Sequence, residues 1–167
     1  YEAVVRAVDP ISVDSAVANV EAEGIALANH VIGIAAKGAK VLIVTVPDMG
    51  LTPYAKAQDA AAGDGSRSAL LTRLTDRFNA KMRVTLPNDA GRSIGLVLAD
   101  DLVRVVVGNP SGYSVTNTSD AACDATKAAL VIDCTTETMV VENADQLHVW
   151  ADSRRLSPRL HGLLGSS

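Results

Sequence analysis

The chain has 167 residues, of which 48% are apolar and 20% are charged, a balance typical of one folded domain and not of a disordered chain. Its net charge is −4 and no Lys/Arg cluster alternates with aromatic residues, so nucleic acid is excluded as a partner. The most apolar run, residues 41–46, is far shorter than the roughly 20 residues of a membrane-spanning helix, so no transmembrane segment is predicted.

The first half of the chain predicts a helix, a strand and a second helix. Apolar residues recur at helical spacing over residues 12–37, with Ser12 or Asp14 as the N-cap and Gly38 as the end. Residues 41–46 have little polar alternation, which is typical of a strand that is covered on both faces in a parallel sheet. Residues 55–66, rich in alanine and glycine, are interpreted as a loop or frayed turn, and residues 70–82 as a second amphipathic helix.

The second half of the chain continues the alternation of helices and strands as far as Pro110, after which no clear periodicity remains. Residues 93–98 predict a strand and residues 100–107 a short helix that ends at Asn109-Pro110, so the chain is predicted to be α/β with a parallel sheet. Periodicity is lost from Pro110 to Cys134, short extended pieces are expected within residues 135–149, and a last helix near residues 158–164. No linker interrupts the chain, so residues 1–167 are interpreted as a single domain.

Only two strands are predicted with a clear pattern, which is few for a buried parallel sheet. Each unpaired backbone group in such a sheet costs about 1–3 kcal/mol. Either another polypeptide completes the sheet, or the first twenty residues and the cysteine region supply strands that the pattern does not reveal.

The two cysteines, Cys123 and Cys134, lie in a polar stretch that is typical of a loop. This placement predicts a disulfide that closes a surface loop. A disulfide favours an oxidising compartment, so a periplasmic or secreted protein is predicted. A pair of free buried cysteines is the alternative. With no histidine at zinc-ligand spacing, neither a metal site nor a cofactor is predicted.

Four segments of the chain form a recognisable set. They are residues 38–53 with the turn Pro47-Asp48-Met49-Gly50-Leu51-Thr52-Pro53, the pair Phe78-Asn79, residues 109–117 running into Cys123, and residues 152–165. In order and spacing these segments resemble the SGNH or GDSL-type ester hydrolases, particularly their secreted and autotransporter-associated esterase-like members. The resemblance implies an α/β fold, a three-layer α/β/α sandwich of the flavodoxin-like type. It also implies an active site with a Ser nucleophile, oxyanion-hole Gly and Asn residues, and an Asp-x-x-His pair.

The resemblance places this chain at the C-terminal portion of that domain. In the family, the segments with the serine, glycine and asparagine precede a helix like that of residues 12–37, so the N-terminal strands are missing from this chain. Asp152 falls on the position of the triad acid, and Arg155 occupies the position of the histidine. A guanidinium stays charged at ordinary pH and cannot accept a proton, so Arg155 is not expected to be catalytic. Asp152 is expected to pair with Arg154 or Arg155.

Other candidate residues are interpreted as structural. His148 ends a second Asp-x-x-His string, but the flanking residues match the family only when Asp152 is aligned, so His148 is predicted to be a bystander in an extended segment. His30 and His161 are expected to be structural. The string Gly63-Asp64-Gly65-Ser66 follows no predicted strand and is interpreted as a solvated loop, not a nucleophile segment.

The sequence therefore predicts an SGNH hydrolase-like protein that has lost catalysis and acts as a binding or assembly module. An N-terminal fragment or a second polypeptide would complete its sheet, and an ester or a lipid would be its ligand. The alternative is an active serine carboxylic-ester hydrolase, an esterase or lipase, whose serine and oxyanion-hole residues lie on a partner or a cleaved fragment. In that case His148 or a histidine of the partner would be the base. A third interpretation is a purely structural secreted subunit.

Overall fold

The computed structural model of the chain describes residues 10–88, 92–128 and 130–166. Within these residues the chain is mixed α/β, as predicted. Its helices and strands follow in the order α1 Pro10–Ala35, β1 Val41–Val44, α2 Pro53–Ala62, α3 Ser66–Thr85, β2 Ile94–Val97, α4 Ala99–Gly108, β3 Asn117–Ala121, α5 Ala144–Leu147, β4 His148–Trp150 and α6 Pro158–Gly165. Short 3-10 turns occupy Met49–Leu51, Pro110–Tyr113 and Val131–Asp133.

The described strands form two parallel pairs. In the first, β1 and β2 pair in register from Val41 opposite Ile94 to Val44 opposite Val97. In the second, β3 pairs with β4, with an irregularity between Asn117 and Ala121. Both strands predicted with a clear pattern are confirmed. β3 lies in the polar stretch where the pattern predicts none, because its sequence Asn-Thr-Ser-Asp-Ala has no alternation of apolar and polar residues.

Helices α1 and α3 cover one face of the β1–β2 pair. Ala28 and Val31 of α1 pack with Ile43 of β1, Ile94 of β2 and Met82 of α3. Side chains alternate between the two faces of a strand, so Leu42 and Val44 point to the opposite face. A separate apolar cluster joins α4, β4 and α6, and its buried residues are Val103, Val106, Val115, Val149, Trp150, Leu156 and Leu160.

Two predicted helix boundaries are wrong, for identifiable reasons. The interpretation of residues 55–66 as a loop fails because most of the segment belongs to α2. The Thr52 side chain accepts a hydrogen bond from the Ala55 N–H at 3.1 Å, and alanine has the highest helix propensity of all residues. Gly63, with φ of 79°, ends the helix in the left-handed conformation. Likewise, α1 begins at Pro10 and not at Ser12 or Asp14, because proline is tolerated in the first turn of a helix. The predicted turn at Asn88 extends into residues 89–91, which lie outside the described residues.

The contact between α1 and α3 depends on a glycine. A Cβ on Gly24 would lie 2.5 Å from the Phe78 carbonyl oxygen and 3.3 Å from the Met82 nitrogen, so the two helix backbones approach as closely as glycine allows. By contrast, a Cβ on Gly33, also in α1, would meet no atom within 4 Å.

We therefore expect opposite effects from two alanine substitutions in α1. Gly24→Ala should lower the free energy of unfolding by about 1–3 kcal/mol, because the helices must move apart. Gly33→Ala should raise it by about 0.5–1 kcal/mol, because alanine favours the helix and meets nothing. Urea unfolding followed by circular dichroism measures both. Equal effects would contradict the close packing of α1 on α3.

Candidate functional site

The residues that resemble the acid segment of the ester hydrolases form a tight loop after β4. We call residues 151–155 the acid loop. All three residues of β4 are buried, and Trp150 at its end forms an antiparallel bridge with Leu156 beyond the loop. The Ala151 N–H donates to the Arg155 carbonyl at 2.8 Å, which closes the loop. A buried strand and its return segment therefore fix the position of Asp152 at the tip.

Both carboxylate oxygens of Asp152 are occupied by the two arginines that follow it. One oxygen accepts from the backbone N–H groups of Arg154 at 2.8 Å and Arg155 at 2.7 Å, and the other accepts from the Arg155 guanidinium at 2.5 Å. Partial burial would raise the pKa of Asp152, but these hydrogen bonds and the charge of Arg155 outweigh it and lower the pKa below its ordinary value. The expected pairing of Asp152 with an adjacent arginine is confirmed.

A cleft of about 550 Å³ opens beside the acid loop. Its polar lining residues include 152–155 of the acid loop. The other lining residues are Pro53, Tyr54, Ala57, Ala121, Cys123, Ala125, Ala128 and Leu130. The volume of this cleft lies within the range of small-ligand sites. We call it the acid-loop cleft.

Tyr54, at the start of α2, ties the cleft wall to the acid loop. Its backbone N–H donates to the Ser153 carbonyl at 2.9 Å, and the Arg154 guanidinium lies 4.3 Å above the centre of its ring. This arrangement is a cation–π contact. The Tyr54 hydroxyl is buried and has no hydrogen-bond partner within the part of the chain that the structure describes. The sequence analysis did not identify Tyr54. The one feature of the sequence that could have indicated it is its position directly after the Pro47 to Pro53 turn.

The predicted disulfide between Cys123 and Cys134 is confirmed, and it borders the same cleft. The Cys123 N–H donates to the Ala151 carbonyl at 2.9 Å, so the disulfide is fastened directly to the acid loop. Cys123 also forms an antiparallel bridge with Met139. The alternative of two free buried cysteines is therefore wrong.

None of the three histidines is bonded to Asp152. His148 is buried in β4, as predicted for an extended segment, and its Nδ1 lies 3.0 Å from the Asp120 carbonyl oxygen, so its ring is held by backbone. His30 is exposed on α1, and His161 is exposed on α6. The expectation that these last two are structural is not supported by any buried contact.

The string Gly63-Asp64-Gly65-Ser66 joins two helices and follows no strand, as predicted. Asp64 is exposed and accepts from the Ser66 N–H at 2.9 Å. The hydrogen bonds from Ser66 lower the pKa of the Asp64 carboxyl. This loop lies between α2 and α3 and lines no wall of the acid-loop cleft.

A buried polar network, which the sequence analysis did not identify, fixes the end of β1. The Asp100 carboxylate accepts from the Thr45 hydroxyl at 2.5 Å, the Asn79 amide at 3.1 Å and the Arg83 guanidinium at 2.7 Å. The Asn79 side chain also bonds both the N–H and the C=O of Val46, at 3.0 and 2.8 Å. The only sequence signal was Asn79, as part of the Phe78-Asn79 pair.

No group of three or more His, Cys, Asp or Glu side chains within the described ranges is placed to hold a metal ion. Among the same residues, no helix is both long and apolar enough to cross a lipid bilayer. A scan of the sequence against protein-family models found no matching family, and a search of curated proteins found no matching relative.

Because the folded-state pKa of Asp152 is lowered, its ionised form stabilises the fold. This contribution is present above the unfolded-state pKa of about 3.9 and is lost as the pH falls through the lower folded-state pKa. We expect Asp152→Ala to cost about 1–2 kcal/mol near pH 7, because two backbone N–H groups lose their acceptor. The difference from the wild type should shrink below pH ~4. Arg155→Ala should cost less, about 0–1 kcal/mol, because the Arg155 side chain is largely exposed.

Urea unfolding at a series of pH values measures these differences. Asp133→Ala, which removes an exposed carboxylate elsewhere, is the matched control and should change the pH dependence little. A difference between the wild type and Asp152→Ala that stayed constant from neutral to strongly acidic pH would contradict the assigned role of Asp152.

The disulfide joins residues 11 positions apart, and a loop of this length restricts the unfolded chain by about 3 kcal/mol. We expect the double substitution of Cys123 and Cys134 by serine to lower the free energy of unfolding by about this amount. Amide exchange at Ala151 to Arg155 should also become faster, because Cys123 is bonded to the acid loop. Unchanged exchange there would show that the acid loop does not depend on the disulfide.

Proposed function

We propose that this chain is the C-terminal portion of an SGNH-type hydrolase fold, a three-layer α/β/α sandwich, that binds a ligand or a partner and does not hydrolyse esters. The observation that carries the proposal is the pairing of Asp152 with Arg155 at 2.5 Å. An aspartate in a serine triad must accept a hydrogen bond from the imidazole that it orients. In this chain one oxygen of Asp152 accepts from the Arg155 guanidinium, which cannot act as a base, and the other accepts from the backbone N–H groups of Arg154 and Arg155.

The surroundings of Asp152 support the loss of catalysis. Within the described part of the chain, the carboxylate of Asp152 bonds only Arg154 and Arg155. The ring of His148, the base suggested for the enzymatic alternative, is engaged by the Asp120 carbonyl. The triad residues act as a unit, so the absence of the base alone removes most of the catalytic rate.

The acid-loop cleft supports a binding function. Its wall of alanine, leucine and tyrosine side chains suits an apolar chain, while the Arg155 guanidinium, which bonds Asp152 through Nη1, has further N–H groups that can donate to a carbonyl or carboxylate oxygen. The proposed ligand is therefore an ester or a lipid that is held and not cleaved. The Cys123–Cys134 disulfide favours an oxidising compartment, and we propose a periplasmic or secreted location.

Turnover of p-nitrophenyl butyrate tests the proposal. The purified full chain is expected to hydrolyse it no faster than a control protein solution, and Arg155→His should not create activity, because no serine bonds Asp152 or Arg155 in the described part of the chain. A fluorophosphonate probe should label no serine. Robust turnover that Asp152→Ala abolishes would overturn the proposal and favour the serine hydrolase whose missing residues lie on a partner.

A further inference from the structure

The guanidinium of Arg155 has one edge that carries no partner. Its Nη1 donates to Asp152 at 2.5 Å, whereas neither Nε nor Nη2 has a hydrogen-bond partner within the part of the chain that the structure describes. The N–H bonds of these two nitrogens run side by side, at the spacing of the two oxygens of a carboxylate. On Arg159 the same two nitrogens are occupied, because both donate to the Tyr113 carbonyl, at 3.1 and 2.8 Å. The acid loop therefore presents an open pair of parallel donors.

This pair of donors is held in place by the acid loop. The Arg155 N–H donates to Asp152 at 2.7 Å, and the Arg155 carbonyl accepts from Ala151 at 2.8 Å. Because the backbone and the Nη1 of this residue are both bound, little conformational freedom is lost when an acceptor binds the open edge. The Arg155 side chain is nonetheless 67% exposed, so a ligand can reach it. Asp152 cannot occupy the open edge as well, because its second oxygen already accepts from two backbone N–H groups.

The hydroxyl of Tyr54 is a second group near the acid loop that needs a partner. It is buried, and it makes no hydrogen bond within the described ranges. Tyr54 lines the acid-loop cleft, and its backbone N–H bonds Ser153, next to Arg154 and Arg155. A buried hydroxyl without a partner is costly, and an oxygen atom of a ligand in the cleft would remove that cost. Both open groups are donors, so the ligand must bring acceptors.

The rest of the cleft is lined by small apolar side chains. They are Pro53, Ala57, Ala121, Ala125, Ala128 and Leu130. The face of the Tyr54 ring is already covered by the Arg154 guanidinium, 4.3 Å from the ring centre, so an aromatic ligand finds no free ring there on which to stack. A hydrocarbon chain needs no such platform, and it gains free energy from contact with alanine side chains alone.

From these groups we propose that the acid-loop cleft binds a free aliphatic carboxylate, the anion of a fatty acid. Its two oxygens accept from Nε and Nη2 of Arg155, the Tyr54 hydroxyl donates to one of them, and its hydrocarbon chain lies along the alanine side chains. This inference rests on the proposed function and deepens it by naming the ligand. A carboxylate is favoured over an ester because charge-assisted hydrogen bonds are about twice as strong as neutral ones, and because both of its oxygens are equal acceptors for the parallel donors.

Titration of the isotope-labelled full chain, followed by NMR, tests the proposal with butyrate, hexanoate, octanoate and methyl hexanoate as probes. Hexanoate should bind about ten-fold more tightly than its methyl ester, because the ester cannot make charge-assisted hydrogen bonds. Affinity should rise by about four-fold for each added methylene, so octanoate should exceed hexanoate by roughly fifteen-fold. The resonances of Tyr54 and of the acid loop should shift most.

Two variants test the donors. Arg155→Gln should weaken hexanoate binding by at least about ten-fold and leave the binding of methyl hexanoate nearly unchanged. Arg92→Gln removes one exposed positive charge that does not line the cleft, so it is the matched control and should change neither affinity. Tyr54→Phe keeps the backbone bond to Ser153 and should weaken hexanoate binding by about five-fold. Circular dichroism of each variant verifies the fold.

Three further variants test where the hydrocarbon chain lies. Ala57→Trp narrows the cleft at an exposed position of α2 and should weaken octanoate binding much more than butyrate binding. Ala80→Trp, at an exposed position of α3 away from the cleft, should have no effect. Arg155 also borders a second cavity, of about 740 Å³, which Val44 lines. Val44→Trp should therefore leave octanoate binding unchanged.

Three results would overturn the proposal. They are equal binding of hexanoate and methyl hexanoate, hexanoate binding that Arg155→Gln and Tyr54→Phe both leave intact, and octanoate binding that Val44→Trp weakens and Ala57→Trp does not. Equal binding of the acid and the ester without turnover would overturn this inference alone. Ester turnover by the chain would overturn the proposed function and leave the binding of the carboxylate to be judged from these titrations.

Discussion

The carboxylate of Asp100 joins the end of β1 to α3 and α4, and the rest of the structure depends on these contacts. It lies almost fully buried in the first turn of α4, where the positive end of the helix dipole favours a negative charge. It accepts from Thr45 at the end of β1 and from Asn79 and Arg83 of α3. A buried carboxylate is stable only while its donors remain in place. The end of β1, α3 and α4 therefore cannot shift independently, and the turn that follows β1 has a fixed starting point.

The segment that follows β1 brings Tyr54 into contact with the acid loop. Asp48, in the turn after β1, is buried and bonds the Gly50 N–H, the Thr72 hydroxyl and the Arg104 guanidinium. The turn leads into α2, whose Tyr54 N–H reaches the Ser153 carbonyl. The acid loop is therefore held from two parts of the chain. Tyr54 of α2 bonds Ser153, and the disulfide-linked Cys123 bonds Ala151. A rigid loop of this kind suits binding, because little conformational freedom is lost when a ligand enters.

The proposed function concerns the acid loop, where the carboxylate of Asp152 already has its partners. At the acid loop, Asp152 is paired with a permanent cation, and a pair that is already neutralised has no reason to move a proton. In β1, the apolar side chains of Leu42 and Val44 are exposed to water.

The sequence indicated the mixed α/β class, the helices around residues 12–37 and 70–82, the first two strands, the disulfide and the pairing of Asp152. Each of these depends on periodicity or on residues a few positions apart, which a sequence displays directly. β3 and the Asp100 network could not be predicted in this way. The strand Asn117–Ala121 has no pattern of its own and is defined by its partner β4.

The contacts that decide the site join residues distant in sequence: Thr45 with Asp100, and Tyr54 with Ser153 and Arg154. Local propensity carries no information about such pairs. The sequence by itself determined that residue 155 cannot serve as a base, because a guanidinium keeps its proton at ordinary pH. Only the tertiary structure decided which surfaces remain open, because burial is a property of the packed elements and not of any one residue.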